Sequence, residues 1–168
     1  MNVILIGIVI AAKFLLPFLM LRFPFWASAS NFILDTIDGD ILMPLGLEFG
    51  TYQLIDKIAD YVTYILMVVA ARKWEIRKLI IGLFAFRTIG QLLYFATGNE
   101  VIFFFFPNFL EPLFIVYSFL LMRYKKNAHA KYRKHIIPIW ACIILYKMWN
   151  EWNTHIANIE LSQVFFGF

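Results

Sequence analysis

All five aspartates of this 168-residue chain fall between Asp35 and Asp60. They read Asp35-x2-Asp38-Gly39, with Asp40 alongside, and then Asp56-x3-Asp60. On helices, spacings of three and four residues put each pair on one face. Two such pairs facing each other would gather four carboxylates into a cage. Carboxylates are costly in an apolar bundle unless a cation holds them. Magnesium, manganese and calcium take oxygen ligands, and aspartate is the shortest source of them. With no histidine or cysteine nearby, zinc does not fit the set. A hard cation on paired carboxylates suits chemistry on a phosphate or pyrophosphate. The metal, Mg2+ or Mn2+, would neutralise non-bridging oxygens and the leaving group, while a spare carboxylate takes the proton of an attacking hydroxyl. Gly39, directly after Asp38, would let a substrate approach the backbone. The plainer alternative is that helix-end aspartates cap helices or mark a membrane interface. Asp40 and Glu48 are assigned to that role.

The elements that must carry these residues are apolar. The chain is 62% hydrophobic and 19% aromatic, with a mean hydropathy of +0.74. Soluble domains run nearer half apolar, so the composition predicts an all-α, multi-pass integral membrane protein forming one transmembrane domain over residues 1–168. The apolar stretches are continuous rather than alternating, which argues against a closed barrel. One cysteine, Cys142, excludes an internal disulfide and a thiolate metal site. The apolar N-terminus, without a basic start or a small-residue cleavage site, reads as a retained first span. The net charge of +4 sits in short connections beside apolar stretches, a pattern that fits anionic lipid headgroups and not nucleic acid.

Six spans are predicted. They cover about residues 2–22, 23–39, 51–72 and 76–96, a fifth between 101 and 122, and a sixth over 136–152. Residues 40–50, with Pro44, Gly46 and Gly50, read as a turn. Asp56 and Asp60 then fall in the first turns of the third span. Pro107 and Pro112 blur the start of the fifth, and the run Val101–Phe106 reads as interfacial or re-entrant. Residues 123–135 read as a solvated basic connection. Trp149 and Trp152 suit an interfacial belt, and the tail to Phe168 reads as lying on the membrane surface.

The aspartate spacing resembles the signature of the CDP-alcohol phosphatidyltransferase family, D-x2-D-G-x2-A-R-x8-G-x3-D-x3-D. Asp35, Asp38, Gly39, Asp56 and Asp60 all fall in register, and Ala59 before Asp60 is similar to the family's D-x-x-A-D form. KFLLPFLMLRF and FRTIGQLL resemble family segments more weakly. The resemblance implies transfer of a phosphatidyl group from a CDP-activated lipid to an alcohol acceptor in phospholipid synthesis, by a homodimer. Asp35, Asp38 and Asp56 would hold the metal, and Asp60 would join the metal site and act as general base. The signature's Ala-Arg falls on Leu42-Met43 and its second glycine on Tyr52. Losing that arginine removes a bidentate phosphate donor, and a tyrosine for glycine fills space a cytidine would need. Nucleotide recognition is therefore altered or lost, unless another residue supplies it.

Arg87 is one such residue, because an arginine in mid-span needs a polar cavity or an acidic partner. Its alternative is an ion pair with one of the aspartates or Glu111. Lys57 could meet a phosphate or snorkel to headgroups, and Lys13, mid-span in the first helix, could face the same cavity. Two rivals accompany the phosphotransferase reading: a lipid headgroup-exchange enzyme without CDP, and a catalytically silent relative serving as a membrane scaffold or assembly subunit. A cation transporter would place its aspartates nearer mid-bilayer than beside a turn.

In a six-span layout, Arg22, Arg72, Lys73, Arg77, Lys78, Arg123, Lys125, Lys126, Lys131, Arg133 and Lys134 share one side, while the aspartate turn and Thr97–Glu100 carry no lysine or arginine. The positive-inside rule turns the aspartate site away from the cytoplasm. A cysteine at Gly46 should therefore react with an impermeant thiol reagent in intact cells. Labelling only after the inner face is opened would refute that orientation.

Overall fold

The computed structural model describes residues 2–155, and among these every regular element is helical. They are α1 (Val3–Leu15), α2 (Pro24–Leu42), α3 (Phe49–Ala70), α4 (Arg77–Thr97), α5 (Ile102–Phe105), α6 (Leu110–Tyr124), α7 (Ala128–Lys134) and α8 (Ile136–His155). The chain divides after Ala70 into two compact units. The predicted tail beyond residue 155 lies outside the described residues.

In the first unit, Pro17 sets the geometry. It has no N–H to give the Lys13 carbonyl, so the α-helical pattern stops at Leu15 and tightens into a 3-10 turn over Leu16–Leu21. That turn, with Pro17 and Met20 buried, packs against α2 and α3. Lys13 is thereby fixed in the last turn of α1, where the helix dipole favours a cation. Helix α2 buries Ala27, Ser28, Asn31, Asp38 and Leu42, a helical stripe with unusual polar content. Helix α3 buries Ala59, Thr63, Tyr64, Leu66 and Met67.

The turn predicted over 40–50 is shorter in the structure. Helix α2 continues through Asp40 to Leu42 and stops before Pro44, which cannot prolong it. The Leu47 N–H reaches back to the Leu42 carbonyl and the Gly46 N–H to that of Met43, with Gly46 at φ 97°. This paired closure needs a left-handed residue, and glycine adopts it without a Cβ penalty. Because α3 already begins at Phe49, Gly50 is helical, and Asp56 and Asp60 lie two to three turns into the helix.

In the second unit, α4 ends on Gly98 at φ 67°. The phenylalanine run then forms the short α5, breaks at Phe106, and restarts as α6 at Leu110, where Pro112 is tolerated in the first turn. Gly90 lets this segment rest on α4, since a Cβ there would collide with the Phe106 side chain. Trp74 stacks on Phe114 with centroids 4.7 Å apart. The basic stretch read as a connection is largely helical, as α7. Alanine, lysine and arginine are good helix formers, and Lys125, at φ 48°, makes the bend before it.

Polarity is inverted relative to a soluble globule. Lys13, Asp38, Arg87, Lys147 and Glu151 are buried, while Ile4, Ile137 and Leu145 are 78%, 80% and 72% exposed. Among the described residues, two stretches, Val3–Leu21 and Arg77–Thr97, are long and apolar enough to cross a membrane. The remaining long helices α2 and α3 carry the aspartates, and α8 carries Lys147 and Glu151.

Candidate functional site

The first unit brings three of the predicted ligands together. Asp35 and Asp38 sit one turn apart on α2, and Asp56 reaches them from α3. Each offers a carboxylate oxygen, and the three oxygens all lie within 4.8 Å of one another. Asp38 is fully enclosed and Asp56 nearly so, whereas the Asp35 side chain keeps 32% of its surface open. The open side of the cage is therefore at Asp35.

The centre of this cage is held by Lys13. Its ammonium lies 3.2 Å from Asp35 Oδ1 and also pairs with Asp38 Oδ2 and Asp56 Oδ1. Of the ammonium's three N–H donors, one makes a hydrogen bond to Asp56 Oδ1, while Asp35 Oδ1 and Asp38 Oδ2 are held as ion pairs and lack a hydrogen bond of their own. Lys13 is only 3% exposed, and breaking such a buried arrangement by removing one partner is strongly unfavourable. Lys57 adds a second cation, its Nζ 2.7 Å from Asp56 Oδ2. It stays against the carboxylate and does not extend to the surface, with 14% of its side chain open. Two ammonium groups and three carboxylates thus meet in one small volume.

Asp60 is one turn beyond Asp56 on α3 and stands outside the group of three. Its Oδ2 accepts a hydrogen bond from the Tyr64 hydroxyl at 3.2 Å. Gly39 plays a part not foreseen from its spacing. A Cβ there would meet the Tyr52 hydroxyl at 3.0 Å, so the missing side chain is what lets the phenol lie against α2. From that seat Tyr52 donates to Asp38 Oδ1 at 3.0 Å, and its ring centroid lies 5.7 Å from the Lys13 ammonium. Tyr52 was missed as a site residue, and the signal that could have found it is its place four positions before Asp56, on the same helical face. Leu42 is buried at the end of α2, and Met43 is the residue that caps it.

Arg87 has its partners in the second unit. It donates to the Phe106 carbonyl at 2.8 Å, stands 4.0 Å from Glu151 Oε1, and lies over the Phe103 ring at 4.3 Å. Lys147 pairs with the same Glu151 oxygen at 3.2 Å, and the Asn108 N–H reaches it as well. Glu111, considered from the sequence as a partner of Arg87, joins this cluster through the Asn108 amide, which donates to its Oε2 at 3.5 Å, and Glu151 was missed.

In comparisons with known proteins, the chain matches no family model, no curated protein and no solved structure. The site must speak for itself. Its chemistry is that of an oxygen-only donor set, three carboxylates that could hold a metal ion.

Two substitutions grade the contacts. Tyr52→Phe, which deletes one hydrogen bond to a charged group, should lower stability by about 1.5–3 kcal/mol. Lys13→Met in metal-free buffer should cost more, about 3–5 kcal/mol, because it leaves three buried carboxylates without their cation. Thermal unfolding in detergent checks both, and a Lys13→Met protein as stable as Tyr52→Phe would contradict this ranking.

Proposed function

We propose that the protein is a six-span integral membrane phosphotransferase that uses a divalent cation and resembles the CDP-alcohol phosphatidyltransferases. The observation that carries this reading is the convergence of Asp35, Asp38 and Asp56, from two helices, onto a common point with oxygen atoms within 4.8 Å. The inward charges and outward apolar side chains support the membrane setting. So do helices at all six predicted spans, the fifth split into α5 and α6.

Asp35, Asp38 and Asp56 would hold Mg2+ or Mn2+, with Asp60 one turn further along α3. The cation would supply neutralisation of the phosphate oxygens. Asp60, held on one oxygen by Tyr64, keeps its other oxygen for the proton of an acceptor hydroxyl. In the transfer, that hydroxyl oxygen bonds to phosphorus, the bond from phosphorus to the leaving phosphate breaks, and the proton passes to Asp60. The partners are membrane lipids: a donor carrying an activated phosphate and an alcohol acceptor. With Leu42, Met43 and Tyr52 at the signature's Ala, Arg and Gly, the donor's activating group is recognised differently from CDP, and the rival enzyme reading is headgroup exchange without a nucleotide. Gly39 stays in the proposal as the seat of Tyr52, and Lys57 as a cation beside the cage. Arg87 is proposed as substrate-binding only on its mid-span charge.

A second reading is favoured by one observation. Lys13 forms ion pairs with all three aspartates and Tyr52 donates to Asp38, as they would in a catalytically silent membrane scaffold.

Turnover and metal binding separate the two. In an enzyme, Asp56→Asn and Asp60→Asn should each lower the transfer rate at least ~100-fold, the low end of what a general base contributes, and in a scaffold they should change nothing measurable. Binding of CDP-diacylglycerol with Mg2+ tests the donor: saturable CDP-dependent binding would overturn the altered-nucleotide reading, and its absence would favour a donor without CDP.

A further inference from the structure

The cage has room for one cation at its centre, and Lys13 is there. Three carboxylate oxygens within 4.8 Å of one another cannot hold a divalent ion and an ammonium together without placing like charges in contact. If the cage binds metal, Lys13 must leave, and it must leave toward something negative or polarisable. Its tether allows this. The side chain is a flexible four-carbon stem, and the Tyr52 ring already lies 5.7 Å from the ammonium. The way out is on the Asp35 side, the most exposed of the three carboxylates. The unit's other cations are less suited to follow a ligand into the cage, since Lys57 is held on Asp56 and Arg22 is exposed at the end of the 3-10 turn.

We propose, on the basis of the metal-dependent reading above, that Lys13 is a displaceable counter-ion: its ammonium holds the Asp35–Asp38–Asp56 cage until a divalent cation enters, and then pairs with the phosphate of the incoming substrate. Metal and phosphate therefore bind cooperatively. Metal alone must evict an ammonium that has nowhere equally good to go. Metal with a phosphate releases that ammonium onto a new anion. By linkage, the phosphate tightens metal binding by the same factor as the metal tightens phosphate binding. Lys13 thus makes the metal site conditional on substrate, a role distinct from a fixed structural ion pair. It would be a positioning residue before the metal arrives and a phosphate ligand afterwards.

The experiment is Mn2+ binding to the full-length protein in lipid nanodiscs, followed by electron paramagnetic resonance at buffered free Mn2+, with and without inorganic phosphate. Wild-type protein should bind Mn2+ weakly alone and about tenfold more tightly with phosphate, within the usual range of coupling between sites. Lys13→Met should bind Mn2+ alone about tenfold more tightly than wild type and lose the phosphate effect, and Lys13→Gln should do the same if the methionine variant does not fold. Lys13→Arg should keep the phosphate effect. A structural ion pair predicts the opposite sign, with weaker metal binding once the site collapses. Lys13 variants that bind Mn2+ no more tightly than wild type, or a wild type indifferent to phosphate, would overturn the proposal while Asp56→Asn still tests the metal site itself. No Mn2+ binding by any variant would overturn the metal-dependent reading and this proposal with it.

Discussion

The ammonium of Lys13 among three aspartates is the interaction on which the first unit depends. Three carboxylates from two helices repel one another, and their repulsion is stronger where water is excluded. One cation at their centre converts that repulsion into a crosslink joining α1, α2 and α3. The local chain geometry serves it. Pro17 stops the α-helical pattern just after Lys13, the Gly46 closure returns α3 alongside α2, and Gly39 leaves the space that Tyr52 fills. Each of these would be a weakness in an ordinary helix, and together they position one charged cluster.

The second unit obeys the same constraint with different residues. Arg87 and Lys147 share Glu151, while Asn108 ties that carboxylate to the loop before α6. Gly90 and the break at Phe106 expose the carbonyl that Arg87 needs. Here two cations share one buried carboxylate beside an aromatic ring, as expected of a network that pins helices. The aspartate cage differs because three carboxylate oxygens converge within 4.8 Å of one another, a group that could hold a metal ion in place of the ammonium.

Much of this was readable from the amino-acid order. The helical character followed from continuous apolar runs, and the spacing drew attention to Asp35, Asp38 and Asp56, which converge, and also to Asp60, which stands outside their group. Lys13 stood out as a lone charge in an apolar stretch. What the sequence could not give was pairing across distance: Lys13 meets residues 22 to 43 positions away, and Arg87 meets one 64 positions away. Neither is marked by any local pattern. The turn at 40–50 was overestimated because Asp40 and the glycines look like breakers, yet only Pro44 and Gly46 break the helix. Tyr52 was read as a lost glycine, and its hydrogen bond to Asp38 depends on a close approach that only the packed structure reveals.

A cage that is occupied by its own lysine can serve as a permanent crosslink or as a metal site kept closed until substrate arrives. The distinction rests on where the Lys13 ammonium goes when divalent metal and phosphate are supplied together. A structure determined with saturating Mn2+ and inorganic phosphate, with anomalous scattering recorded for manganese, would locate both. Our account predicts an anomalous peak among Asp35, Asp38 and Asp56, with the Lys13 ammonium moved out onto phosphate. A cage without manganese, still filled by Lys13, would contradict it.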